Sequence, residues 1–205
     1  MTIHTALRPA AAALVAALSL SACVASEGGK TDMESLLAGA PMGWAERAEG
    51  AEWTVEAMEA VAAKDDVLAD VVPSDIATWC PGYADASISE RRAFWVGLMS
   101  AVSYHESRFT PEVTGGGGRY IGLMQISPIT AKGHGCDATS VSALKDGGEN
   151  LSCAVEIFAE KVAADGMVAG NGKKGLGRDW GPFRKSKARA QMAEWTSSQP
   201  YCQKA

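Results

Sequence analysis

A helix that carries a carboxylate where its own pattern calls for an apolar residue constrains this chain more than any other feature. Ser87 and Glu90 have the spacing of a capping box, which opens a helix. Trp95, Leu98 and Val102 then recur three and four apart along one face, and four residues further the same stripe reaches Glu106. A carboxyl group at the core-facing end of a helix is desolvated, so its pKa rises and it holds a proton near neutral pH. That is the requirement for a general acid. The plain alternative is a helix-terminal glutamate bridged to Arg108 or to a neighbouring amide. The flanking residues favour the first reading. Gly115 to Gly118 are four consecutive glycines, which cannot fill a core but let a backbone run flat beside a ligand. Gly122-Leu123-Met124-Gln125 is a compact apolar turn with one amide, and Ser127-Pro128 reads as an N-cap followed by proline at the first helical position.

Taken together, Glu106-Ser107-x-Phe109, the glycine-bearing turn, Gly122-Leu123-Met124-Gln125-Ile126 and Pro128-x-Thr130-Ala131 resemble the catalytic motifs of the soluble lytic transglycosylase family, which has a lysozyme-like fold. Each piece is weak alone and the set is specific. The resemblance implies an enzyme that cleaves the MurNAc-GlcNAc β-1,4 bond of peptidoglycan glycan strands with a single glutamate, here Glu106, and closes a 1,6-anhydro ring on MurNAc. It also implies roles for neighbours, each with a structural alternative. Ser107 orders the acid or caps the helix end. Gln125 offers an amide to the sugar or braces the turn. Met124 is cleft wall or core, and Asn150, in the segment Asp146 to Leu151, lines the cleft or caps a helix. Two departures stand out. Relatives carry serines where this chain has Gly115 to Gly118, leaving Thr114 as the nearest hydroxyl. They also carry a late Tyr-Asn-Ala-Gly, whereas this chain has Asp179-Trp180-Gly181-Pro182, which makes Trp180 either a sugar-stacking ring or a core residue.

Hydrolysis of a glycoside ordinarily takes a second carboxylate across the bond. Glu112, Asp137, Asp146, Glu149 and Asp179 are the candidates, and nothing local marks one of them. A hydrolytic muramidase and a non-catalytic peptidoglycan-binding lipoprotein are therefore the rival readings. His105 lies one helical step from Glu106 and points elsewhere.

The first 22 residues read as a leader: Arg8 precedes an apolar run, Ala10 to Leu20, too short to span a bilayer. It ends in Leu20-Ser21-Ala22-Cys23, which resembles a bacterial lipobox and implies acylation of Cys23, with Val24 favouring the outer membrane. The expected product is a lipid-anchored periplasmic monomer. Cys80, Cys136, Cys153 and Cys202 remain, an even count that suggests two disulfides in an exported chain, the preferred pairs being Cys136 with Cys153 and Cys80 with Cys202. Histidines occur only at positions 4, 105 and 134 and no Cys-x-x-Cys is present, so neither metal nor cofactor is expected. A formal net charge of -5 argues against nucleic acid, although residues 171–205 hold eight bases and two acids. That basic tail either meets the carboxylates of cell-wall peptides or is a solvated face.

The expected organisation is a leader (1–22), a tether (23–43) and a catalytic domain with an N-terminal helical extension (44–205). The domain is mainly α, with a small irregular or β-hairpin segment near residues 112 to 126. Trp44 to Val72 reads as helical, Leu151 to Val162 as a second long helix, and Pro182 as the start of the last one. Gly166 to Arg178, rich in glycine and in bases, reads as a mobile loop.

Overall fold

The computed structural model describes residues 1–2 and 40–203. The rest of the leader, Cys23 and the tether up to residue 39 lie outside the described residues. Among the described residues seven α-helices and one small hairpin follow one another: α1 (Gly50–Ala62), α2 (Ile76–Trp79), α3 (Ile88–Glu106), β1 (Thr114–Gly115), β2 (Tyr120–Ile121), α4 (Pro128–Gly133), α5 (Gly147–Asp165), α6 (Gly181–Arg184) and α7 (Ser186–Ser197). Short 3-10 turns occupy Ala143–Lys145, Gly175–Arg178 and Pro200–Cys202. The mainly helical class expected from the sequence is the one observed.

The capping box at the start of α3 is present. Glu90 donates its backbone N–H to the Ser87 hydroxyl, and the Glu90 carboxylate accepts the Ser87 backbone N–H at 2.8 Å. Beyond it the helix is not merely amphipathic. Every residue from Ala93 to Ser103 is buried, so α3 runs through the middle of the molecule. Alternation of bulk makes this possible. Ala93, Gly97 and Ala101 let neighbours approach, and a Cβ at Gly97 would lie 2.1 Å from the Tyr201 hydroxyl. Large rings fill the other sides. Trp95 meets Phe94, Tyr83 and Phe158 edge-on, with centroids 4.9, 6.5 and 6.5 Å away. Its indole N–H is shared between the Leu68 carbonyl at 2.7 Å and the Tyr83 hydroxyl at 3.0 Å. Helix α1 lies against both α3 and α5, and α7 lies against α3.

Three stretches depart from the sequence reading. The last helix, read as opening at Pro182, is split, α6 ending at Arg184 and α7 beginning at Ser186. The N-terminal extension is helical only from Gly50 to Ala62; turns occupy the chain on either side, and Trp44 is held by a bond from its indole to the Thr54 hydroxyl. The glycine-rich segment after Gly166 is pinned rather than loose. Asp75 accepts the backbone N–H groups of Val168, Ala169 and Gly170 at 2.6 to 3.0 Å. Asp165 at the end of α5 accepts from Gly175 N–H and from both arms of Arg178. Disulfides join Cys80 to Cys202 and Cys136 to Cys153, the preferred pairs. Among the described residues no helix is long and apolar enough to cross a membrane.

Candidate active site

Helix α3 ends at Glu106, and the way it ends aims the carboxylate. Ser107 donates its hydroxyl to the Ser103 carbonyl at 3.2 Å and accepts the Thr110 N–H at 3.3 Å, so it caps the last turn. Arg108 and Phe109 then both take left-handed backbone angles, φ 55° and 59°. Two adjacent non-glycine residues in that region are costly, and such strain collects at functional sites. It turns the chain back across the end of α3 into the hairpin.

The hairpin pairs Thr114 with Ile121 and Gly115 with Tyr120, and Gly116 to Gly118, all at positive φ, make its tip. Beyond it the turn from Gly122 to Gln125 is braced from below. Asn150, fully buried on α5, accepts the Met124 N–H at 2.8 Å and donates to the Ile121 and Leu144 carbonyls at 3.1 and 2.8 Å. Trp180 donates its indole N–H to the Met124 carbonyl at 3.0 Å. Gly122 has no alternative at its position. Its φ is +82°, and a Cβ would lie 2.2 Å from the Leu144 carbonyl and 2.4 Å from the Asn150 amide. Gln125, at φ 50°, donates both amide hydrogens downward, to the Val113 and Gly122 carbonyls. Its side-chain oxygen lies against Gly115.

The structure therefore sorts the residues singled out by sequence into two layers. Glu106 and Gln125 are partly exposed. Ser107 (5% exposed), Met124, Asn150 and Trp180 (4% exposed) form the layer beneath, with their polar groups engaged by backbone. The Trp180 ring packs edge-on against Phe158 at 4.9 Å and presents no open face to a sugar. Its part is to hold the Met124 backbone. Met124 itself is core.

Burial raises the Glu106 pKa from 4.5 to about 6, opposed by the nearby Lys185 ammonium. Of the candidate second acids, Asp146 is engaged as the N-cap of α5, accepting the Glu149 N–H at 3.0 Å, and Glu112 is exposed. Glu112 and Asp146 line a hollow with Glu49, Glu52 and Glu56, and Glu149 acts on Glu56 as well. Asp137 lies beside the Cys136–Cys153 bridge, and Asp179 faces Lys161 at 3.6 Å. Sequence reasoning missed three contributors: Lys185, the Asp75 anchor, and a hollow of about 330 Å³ bounded by Tyr104 and His105 on α3 and by α7. A basic final segment was the one visible trace of the first.

Comparison with known proteins agrees with this geometry. Residues 86–171 match the family model described as the transglycosylase SLT domain. Among solved structures, a glutamate-to-glutamine mutant of Bd0314 DslA superposes with a TM-score of 0.70 at 28% identity, covering 78% of this chain and 96% of that one. Its wild-type form 2 gives 0.69 at 27% identity, and a second glutamate-to-glutamine mutant gives 0.68 at 27%, with the same coverage. No curated protein matches this chain. Residues 86–171 thus match a transglycosylase SLT domain, the chain shares a lysozyme-like fold with the DslA structures, and the two findings support an enzyme that acts on peptidoglycan.

Proposed function

We propose that the chain cleaves the β-1,4 bond between MurNAc and GlcNAc without consuming water, with Glu106 as both acid and base. The observation that carries this reading is a partly buried carboxylate at the end of α3, within the SLT match, whose pKa burial raises to about 6. Protonated Glu106 gives its proton to the glycosidic oxygen as the C1–O bond breaks, and the GlcNAc hydroxyl leaves. The substrate's own N-acetyl group stabilises the cation left at C1. The Glu106 carboxylate then takes the proton from the MurNAc C6 hydroxyl while O6 bonds to C1. The 1,6-anhydro ring closes, and the glutamate returns to its starting state. Hydrolysis would need a second group to activate water opposite the acid. Thr114, exposed at the rim of the hairpin, is the polar group proposed to meet the sugar, with Gln125 bracing the turn beneath through the Val113 and Gly122 carbonyls.

The deciding measurement is mass spectrometry of the products released from purified sacculi. Products one water lighter than hydrolysis products, without a reducing end at MurNAc, are expected. Reducing-end products would establish a muramidase instead, and sacculi that are bound but left uncut would establish a wall-binding lipoprotein.

By the same reading the protein works as a monomer tethered in the periplasm through acylated Cys23, with the outer membrane as its site. The support is the run that ends in Leu20-Ser21-Ala22-Cys23. Labelling cells with a fatty-acid analogue should mark the wild-type protein and not Cys23→Ser. An unlabelled wild type would overturn the anchor and leave the enzyme reading intact.

A further inference from the structure

Where α1 meets the start of α5 lies the acidic hollow, of about 200 Å³. Glu49, Glu52 and Glu56 line it from the α1 side, Glu112 from the segment that leads into the hairpin, and Asp146 from the cap of α5. Gly147 and Gly148 let the two helices approach this closely. A Cβ on Gly147 would overlap the Trp53 indole nitrogen, and one on Gly148 would overlap the Glu56 carboxylate.

Two features of the hollow go unanswered within the fold. Trp53 is 3% exposed and lines the hollow, yet its indole N–H has no hydrogen-bond partner among the described residues. The other buried tryptophans all give theirs away: Trp44 to the Thr54 hydroxyl, Trp79 to Asp75, Trp95 to the Leu68 carbonyl and Trp180 to the Met124 carbonyl. A buried donor without an acceptor is costly, so an open one calls for a ligand. The second feature is charge. Among the described residues none of the five carboxylates has an ion-pair partner, although Lys145 lines the same hollow. Burial first, then Glu52, Asp146, Glu149 and Glu59, raise the Glu56 pKa. Among the described residues no group of three or more carboxylates, imidazoles or thiols is placed to hold a metal ion, which leaves this charge to an organic cation.

A fitting ligand must bring a cation for the acids and an acceptor for the indole. A polyamine has only the first, and an N-acetylated glycan only the second. A lysine within a peptide has both, an ammonium on its side chain and a carbonyl on its backbone. Helix α1, which supplies Trp53 and Glu56, precedes the residues that match the SLT domain, so the hollow is not a property of the matched segment alone.

We propose that this hollow is a docking site for a lysine-bearing segment of a partner protein, with the ammonium among Glu52, Glu56 and Glu112 and the peptide carbonyl accepting the Trp53 N–H. The proposal is independent of the chemistry assigned to Glu106.

The test is a titration followed by NMR through the indole N–H signals. The chain has six tryptophans, and Trp53→Phe identifies the signal of Trp53. The probe is a pentapeptide with one lysine between pairs of glycines, blocked at both ends. At low salt it should move the Trp53 signal and leave the others in place. The same peptide with its lysine acetylated should not, and spermidine should compete poorly. Glu52→Gln combined with Glu56→Gln should weaken binding about tenfold or more, the worth of one charge-assisted hydrogen bond. Unmoved signals from the other tryptophans in that variant would show its fold intact. A Trp53 signal indifferent to the lysine peptide, or equally responsive to the acetylated one, would overturn the proposal. Binding undiminished in the double variant, or spermidine competing as well as the peptide, would do so too. The wild-type comparison of the two peptides decides the matter even if the double variant does not fold.

Discussion

Glu106 concentrates the chemistry and also a cost to the fold. Its folded pKa, about 6, lies above the ordinary 4.5, so the native state holds more protons than the unfolded chain between those values. Stability contributed by this group is therefore full below pH 4.5 and falls as pH rises toward 6 and beyond. Glu106→Gln should consequently unfold at higher denaturant than the wild type at pH 7.5, by about 1–2 kcal/mol, and lose that advantage at pH 4. A chemical melt at the two pH values reads the difference. The same substitution should lower turnover by about 10²–10⁴-fold, because the amide can neither give nor recover a proton. In the wild type, kcat/KM should fall above pH about 6 as the acid ionises. Lys185→Gln, which removes the cation opposing that rise, should move this limb to higher pH. An unmoved limb would show that Lys185 does not act on Glu106. Glu106 was legible in the sequence because it breaks an apolar stripe. Trp180, Met124 and Asn150 were legible as motif members but not in their depth. An indole or amide in a motif reads the same whether its edge meets backbone or its face meets a sugar.

At the scale of elements, the helices announced themselves and the loops did not. A capping box and a 3.6-residue period are local signals, so α3 was readable from its cap to Glu106, while α5 was recognised by its period but begins at Gly147, a turn before the Asn150 read as its cap. The segment from Gly166 to Arg178 was misread as mobile because its order comes from Asp75, more than ninety residues earlier, whose carboxylate gathers three backbone N–H groups. No local pattern encodes that. Asp75→Ala should destabilise the protein by about 2–3 kcal/mol, since these donors lose a charged partner. Hydrogen exchange at Val168, Ala169 and Gly170 should accelerate more than at α3. Uniform acceleration across the protein would show that the aspartate holds the whole fold rather than this loop. The same segment leads through Trp180 into the Met124 carbonyl, so its looseness should reach the Gly122 to Gln125 turn as lost kcat.

For the molecule as a whole, two covalent ties supplement a core centred on α3. The short one closes a loop between positions 136 and 153, and the long one joins positions 80 and 202. Cys136→Ser with Cys153→Ser, and Cys80→Ser with Cys202→Ser, should each lower stability by about 2–5 kcal/mol, the long loop costing more because it restrains more of the unfolded chain. Denaturant midpoints of the two variants check both size and order. Four free thiols in the exported wild type would remove the premise. The long bridge has a consequence in the setting proposed for this protein, a space shared with proteases. A peptide bond severed between Pro81 and Tyr201 divides the backbone but releases nothing, because the two fragments remain linked through sulfur. A nicked molecule would migrate as one species on a gel until reductant is added. Its helices would still be assembled around the acid, so damage to the chain and loss of the enzyme become separate events.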